Sequence, residues 1–326
     1  MAGSDSLRGL PYALSDVLGV EARGATLLVS HCPLRVLGCC GSAGVRSLAT
    51  RTVQCETVSA STALATAFWA HEAVALRPKR LLVLLNPCSG TGNAASVWKR
   101  LEVLLPLARA RAEVVRTTHQ LHATEVGAEL EVSEYDAAVV VSGDGLLSEI
   151  YNGLRSNARP SARLLPLGVI PAGSGNALAK SVSHAANEAC CPLNAALSIL
   201  CCSHSIPLDA ATARQPGAQP VRALLSLSWG IIADIDTESE RLRCLGSARF
   251  TIQAVVRTAR LRQSAGTLLF QPLNPATCVD GRDATSAEAQ LAAETEEGVE
   301  PCGAWRALDG PFVSVWCVHR NTAPFN

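Results

Sequence analysis

Ala137-Ala138-Val139-Val140-Val141-Ser142-Gly143-Asp144-Gly145-Leu146-Leu147-Ser148-Glu149 opens as a strand-length apolar run and breaks at an acid bracketed by two glycines. A continuous run of this kind fits a strand buried on both faces, and the glycines let the chain turn sharply into helix-like Leu146 to Leu154. The same pattern recurs on both sides. Leu164 to Ile170 runs into Pro171-Ala172-Gly173-Ser174-Gly175-Asn176 and then helix-like Ala177 to Ser183. Leu81 to Leu85 runs into Asn86-Pro87-Cys88-Ser89-Gly90-Thr91-Gly92-Asn93 and then Ala94 to Leu107. Ala112 to Thr117 reads as a further strand, and Ala123 to Leu130 and Pro192 to Cys201 as further helices. Strands alternating with helices imply a parallel sheet wrapped on both faces, an α/β fold. Ligands of such sheets bind beyond the carboxyl ends of the strands, where all three glycine turns lie.

The flanking regions differ in character. Residues 1–78 carry short, weakly alternating apolar runs such as Thr26 to Ser30 and a helix-like stretch from Ser61 to Ala75, which fits a small β-rich module or a partly ordered extension. The α/β lobe is expected over 79–205. From residue 206 to 326 a second, mostly antiparallel β-rich lobe is expected, with Val221 to Ile235 rich in strand formers, a helix over Phe250 to Leu261, and strands over Thr267 to Leu273 and Phe312 to Val318. Residues 274–309 hold Glu288, Glu294, Glu296, Glu297 and Glu300 and read as a solvated acidic loop. A last strand so near the terminus makes this lobe look incomplete.

Composition narrows the classes of function. Hydrophobic residues make up 48% of the 326, enough for two cores. The 28 basic and 28 acidic residues balance, without a basic run or basic-aromatic alternation, which speaks against a nucleic acid partner. No stretch reaches the ~18 to 20 apolar residues of a membrane span, so any membrane contact is expected to be peripheral. Thirteen cysteines include three adjacent pairs but no C-x-x-C, and no secretory signal is apparent. They read as reduced, mostly buried thiols of a cytoplasmic protein.

Taken singly, the glycine turns are weak signals. Asn86 to Asn93 lacks the Gly-Lys-Ser/Thr ending of a Walker loop, and Gly173-x-Gly175 lacks the third glycine of a dinucleotide fingerprint, Leu178 standing there. In order and together, NPCSGTGN, SGDGLLSE and PAGSGNALA resemble the three nucleotide-binding signatures of the diacylglycerol kinase catalytic superfamily, related to the NAD kinases. Leu225 to Glu240, with Ser226, Trp229, Asp234 and Asp236, and then Arg243 to Phe250 resemble the substrate segment of the sphingosine kinases within it. The likeness runs from Lys79 to Leu273 and resumes loosely at Phe312.

The resemblance implies an ATP- and Mg2+-dependent kinase acting on the primary hydroxyl of a sphingoid base such as sphingosine, giving sphingosine 1-phosphate. It places Asp144 as general base. It places Asn86, Gly90, Gly92, Ser142, Gly143, Gly145, Gly173, Ser174 and Gly175 around the nucleotide, with Thr117 near the adenosine. Glu149 joins this set as an orienting group or faces solvent. Arg243 and Arg249 would reach the phosphates, Ser226 the lipid headgroup and Asp236 the substrate ammonium; metal ligands stay unassigned. A homodimer is compatible with it. Two departures stand out: Thr91 or Asn93 stands in place of a lysine often found in the first loop, and no Asp-Gly-Glu segment follows Phe312. The alternatives are a truncated, catalytically inactive lipid- or partner-binding relative, or a ceramide or diacylglycerol kinase; neither ceramide nor diacylglycerol carries the cationic amine that Asp236 would pair.

Overall fold

A computed structural model describes residues 10, 12–35, 43–90, 92–201, 205–215, 217–271, 281–288 and 304–318. Thr91, the acids at 294, 296, 297 and 300, and the end of the strand expected to reach Leu273 lie outside the described residues. The chain forms two compact units. One comprises mainly residues 1–225, the other mainly 226–242 and 248–318.

The first unit is built on a four-stranded parallel sheet. Its spatial order is Arg111–Arg116, Arg80–Leu85, Ala137–Ser142, Leu167–Pro171. The central pair are in register, Val83 opposite Val139, and are almost wholly buried, as the unbroken apolar runs require. Side chains alternate between the two faces. Leu81, Val83, Leu85, Val139 and Val141 pack with Val97, Trp98, Leu101 and Leu197, while Leu82, Leu84, Ala138 and Val140 pack with Leu147, Ile150 and Leu154. Truncating a fully buried member such as Leu84 would cost about 2–5 kcal/mol.

Two boundaries move, for identifiable reasons. The helix expected to reach Leu107 is α-helical only over Ala94–Leu101 and tightens to a 3-10 turn at Glu102–Leu104, just ahead of Pro106. The strand expected from Leu164 starts at Leu167, because Pro160–Leu164 is a 3-10 helix and Pro166 cannot donate to a ladder.

The amino-terminal residues pack into the same unit. Val17–Arg23, Thr26–His31 and Ala49–Gln54 form an antiparallel sheet, covered by helix Val58–Ala70, which Thr57 caps by accepting from Ala60 N at 3.1 Å. Leu14, Val17, Leu27, Val29 and Phe68 fill the space between. Buried Arg77 donates to the carbonyls of Val17 (2.8 Å) and Leu14 (2.6 Å). Arg46 pairs with Asp16 at 3.0 Å and with Glu188 at 2.7 Å, tying this layer to the segment after helix Ala177–Ala185. The thiols are less uniformly buried than expected: Cys32 and Cys201 are buried, but Cys88, Cys244 and Cys317 are exposed.

The second unit holds an antiparallel pair, Ser226–Gly230 with Ser314–Val318, a three-stranded antiparallel sheet of Thr267–Phe270, Arg306–Asp309 and Arg282–Asp283, and helices Ile231–Ser239 and Ala248–Ala259. The strand-forming reading of Val221 to Ile235 is therefore corrected at its end. Gly230, at φ 81°, turns the chain out of the ladder and into a helix. Leu227 (53%) and Trp229 (47%) are exposed, so neither is core.

Candidate active site

Three loops meet at the carboxyl edge of the parallel sheet. Gly90 has φ 55°, and a Cβ on it would stand 2.8 Å from the Ala172 carbonyl oxygen; a Cβ on Gly173 would stand 2.5 Å from Gly143 Cα. The backbones thus touch where only glycine leaves room. Hydrogen bonds fix the contact: Ser142 Oγ donates to Ser89 Oγ at 2.8 Å, Ser89 Oγ reaches the Ala172 carbonyl at 3.4 Å, and Ala172 N donates to the Ser142 carbonyl at 3.0 Å. Both serines are buried, so in this arrangement Ser142 serves the loop junction.

Asp144 opens helix Asp144–Ser156, but its carboxylate reaches across to the next loop. Oδ2 accepts from Ala177 N at 2.7 Å and Oδ1 from Leu178 N at 3.0 Å, the first amides of helix Ala177–Ala185. These are donors that a helix leaves unpaired, and a negative charge is favoured there. The carboxylate is therefore held by a helix terminus, and those two amides are taken by Asp144. A carboxylate has about four lone-pair sites, so each oxygen keeps one for a further donor. Asn176, at φ 57°, closes the third loop: Oδ1 accepts from Gly173 N at 2.9 Å and Nδ2 donates to the Gly173 carbonyl at 2.7 Å.

The structure brings Gly90, Ser142, Gly143, Asp144, Gly173 and Gly175 together, Gly175 standing so that a Cβ would lie 3.3 Å from Asp144 Oδ2. Asn86 accepts from Cys88 N at 2.9 Å, shaping the first loop from within. Gly92 (φ 80°) and Ser174 lie in the first and third loops, and Gly145 in the first turn of the helix that follows the second. Thr117 follows the strand Arg111–Arg116, buried, its amide donating to the Leu85 carbonyl at 2.9 Å. Glu149 lies further along its helix, with Oε2 buried and unpartnered among the described residues. Ser89 and Asn176 were not selected from sequence, although both stand in the glycine loops; their signal is a polar side chain able to bond the backbone of a tight turn.

Ser226, Asp236 and Arg249 belong to the second unit. Asp234 and Asp236 stand on helix Ile231–Ser239, two residues apart and so on different faces of it. Helix Ala248–Ala259 buries Arg249, Gln253 and Arg257 against this acidic helix and exposes Ile252, Val255 and Val256. Arg249 pairs with Glu240 and, at 3.6 Å, with Asp236; Arg257 pairs with Glu238 and, at 3.4 Å, with Asp234. Arg249, expected at the phosphates, is thus held by carboxylates of its own unit in this structure. Arg243 lies in the 3-10 helix Glu240–Leu245, its side chain outside the described set.

Three glycine loops on a parallel sheet, closed around one carboxylate, agree with what the family model for the diacylglycerol kinase catalytic domain finds, which matches residues 80–213. This segment belongs to that family. Over a longer stretch the chain is similar to curated sphingosine kinases: sphingosine kinase 2 of Arabidopsis thaliana is 38% identical over 249 residues, covering 74% of this chain and 51% of that protein. Sphingosine kinase 1 of Rattus norvegicus is 40% identical over 210 residues, covering 61% of this chain and 54% of that protein. The chain thus spans about half the length of the curated relatives it matches. A solved diacylglycerol kinase from Bacillus anthracis str. Sterne aligns with TM-score 0.38 and 22% identity, over 59% of this chain and 56% of that one.

Proposed function

We propose that this protein is a lipid kinase that transfers the γ-phosphate of ATP to the primary hydroxyl of a sphingoid base, giving a product of the sphingosine 1-phosphate type. The observation that carries the reading is the clamping of the Asp144 carboxylate by Ala177 N and Leu178 N at the junction of the three loops. So held, the carboxylate has a fixed direction and still has room for the proton of an attacking hydroxyl. In the proposed step the lipid oxygen attacks the γ-phosphorus as Asp144 takes its proton, and ADP departs. The small residues of the three loops, Gly90, Gly92, Gly143, Gly173, Ser174 and Gly175, with Gly145, Asn86 and Thr117, let the phosphates approach the backbone.

Among the described residues no group of three or more His, Cys, Asp or Glu could hold a metal alone. A magnesium ion that arrives on the phosphates of ATP needs only one or two protein carboxylates, and Asp144, with a lone pair left on each oxygen at the loop junction, would be the group to offer one. Such an ion supplies charge neutralisation on the transferring group.

In the second unit the Asp236 side chain is 71% exposed and stands 3.6 Å from Arg249, so a substrate ammonium can reach the carboxylate. In the proposed complex that ammonium pairs with Asp236 in place of Arg249, and Ser226 of the same unit meets the lipid headgroup. The outward stripe of Ile252, Val255 and Val256 suits a peripheral lipid contact; no helix among the described residues is long and apolar enough to cross a membrane.

The test is transfer of label from γ-labelled ATP to sphingosine by the purified chain, beside Asp144→Asn. Labelled lipid that falls about a hundred- to ten-thousand-fold in the variant is the expected result. Absence of product from folded protein would move the reading to a lipid-binding relative without catalysis.

A further inference from the structure

Two cysteines 169 positions apart in the chain meet in the core of the first unit. Cys32 follows strand Thr26–His31, Cys201 ends helix Pro192–Cys201, and their sulfurs are 3.8 Å apart. Both are free thiols. Each has a weak second contact, Cys32 Sγ with the Asp16 carbonyl at 3.4 Å and Cys201 Sγ with the Val17 carbonyl at 3.9 Å, so both sulfurs are held from the same side. The pair lies where the amino-terminal sheet meets the α/β core, and nothing in the proposed phosphoryl transfer uses it.

We propose that Cys32 and Cys201 form a reversible disulfide when the protein meets a hydroperoxide, locking the amino-terminal layer to the sheet layer. Sulfurs already in van der Waals contact need only a small rotation about the side-chain bonds to reach bonding distance. The two thiols differ in character. Contact with the Cys201 sulfur and the nearby Arg46, which donates to the Cys32 carbonyl at 3.0 Å, holds the Cys32 thiol below its usual range, whereas Cys201 is pushed well up by the same contact and by burial. Cys32 is thus the attacking thiolate and Cys201 the resolving thiol. In the first step the Cys32 thiolate displaces water from the peroxide, with uptake of one proton, and becomes a sulfenic acid. In the second, Cys201 attacks that sulfur, the S–S bond forms, and the sulfenic oxygen leaves as water carrying the thiol proton. Two thiols are oxidised, one peroxide is reduced to two waters, and a dithiol reverses the change.

The experiment uses the full chain. Reduced protein is treated with hydrogen peroxide, the remaining thiols are blocked with a maleimide, and the digest is read by mass spectrometry without reduction. A Cys32–Cys201 crosslinked peptide that dithiothreitol removes is expected, with a melting temperature higher than that of the reduced form by roughly 5 to 10 °C, because the closed loop is long. Cys32→Ser and Cys201→Ser should each abolish both the peptide and the shift. Oxidation confined to exposed Cys88, Cys244 and Cys317, or a crosslink joining Cys201 to Cys202, overturns the proposal. A Cys32–Cys201 bond that lowers the melting temperature overturns it equally, since the sulfurs would then have left their native packing.

Discussion

Two glycines of the candidate site should respond to the same substitution with opposite signs. A Cβ on Gly173 would lie 2.5 Å from Gly143 Cα and 2.7 Å from Gly143 N, whereas a Cβ on Gly145 meets nothing within 4 Å. Carbon atoms rest at about 3.5–4.0 Å, so Gly173→Ala must push two backbone segments apart by about 1 Å. That displacement strains the bond from Ala172 N to the Ser142 carbonyl, now 3.0 Å. Overpacking of this kind costs about 1–3 kcal/mol. Gly145 stands in the first turn of helix Asp144–Ser156, where alanine gains up to about 1 kcal/mol in helix propensity. Urea unfolding followed by tryptophan fluorescence reads both, and an unchanged slope shows that stability alone has moved. Gly173→Ala matching the unsubstituted protein, with Gly145→Ala destabilised, would refute the contact between the second and third loops.

Two further outcomes follow from charge and exposure. Asp136 accepts from the amides of Lys79 and Arg80, each at 2.9 Å, and from the Arg80 guanidinium at 2.7 Å; burial alone would raise its pKa, but these donors outweigh it and hold the carboxyl below its usual value. Its stabilisation is therefore present above the unfolded pKa of about 3.9 and is lost as pH falls through the lower folded value. Asp136→Asn should cost roughly 1.5–3 kcal/mol at pH 7, with the gap closing in acid titrations, and a gap independent of pH would count against the carboxylate. Val255 is 66% exposed, so Val255→Glu should leave stability within about 0.5 kcal/mol while weakening sedimentation with anionic lipid vesicles about tenfold; equal binding would remove the lipid contact from this stripe.

The parallel sheet was legible because a strand buried on both faces must be apolar without a break, and Leu81 to Leu85 and Ala137 to Val141 meet that rule. Helix Pro192–Cys201 was legible to the residue, since proline suits a first helical turn. Helix Ile231–Ser239 was not: Ile231, Ile232 and Ile235 favour strands locally, and the outcome rests on the turn at Gly230 and on acids paired with a helix further along the chain. Burial of Arg249 and Arg257 depends on the same pairing. Asp144 was legible as a residue between two glycines, but its partners at 177 and 178 are set by how adjacent loops pack. The strand Ala49–Gln54 escaped notice because its polar positions mask the alternation that a half-buried strand would show, and Val17–Arg23 because its first four residues are all buried and so do not alternate.

Helix Ala177–Ala185 is gripped at both ends. Asp144 holds its first amides, while Glu188, whose own amide bonds the Ser183 carbonyl at 2.8 Å, is held by Arg46. The helix therefore behaves as a strut between the candidate catalytic carboxylate and the amino-terminal layer, and displacement along its axis is felt at either end. A change as remote as the Arg46 side chain becomes a way to retune the aim of Asp144 without touching any of the three loops.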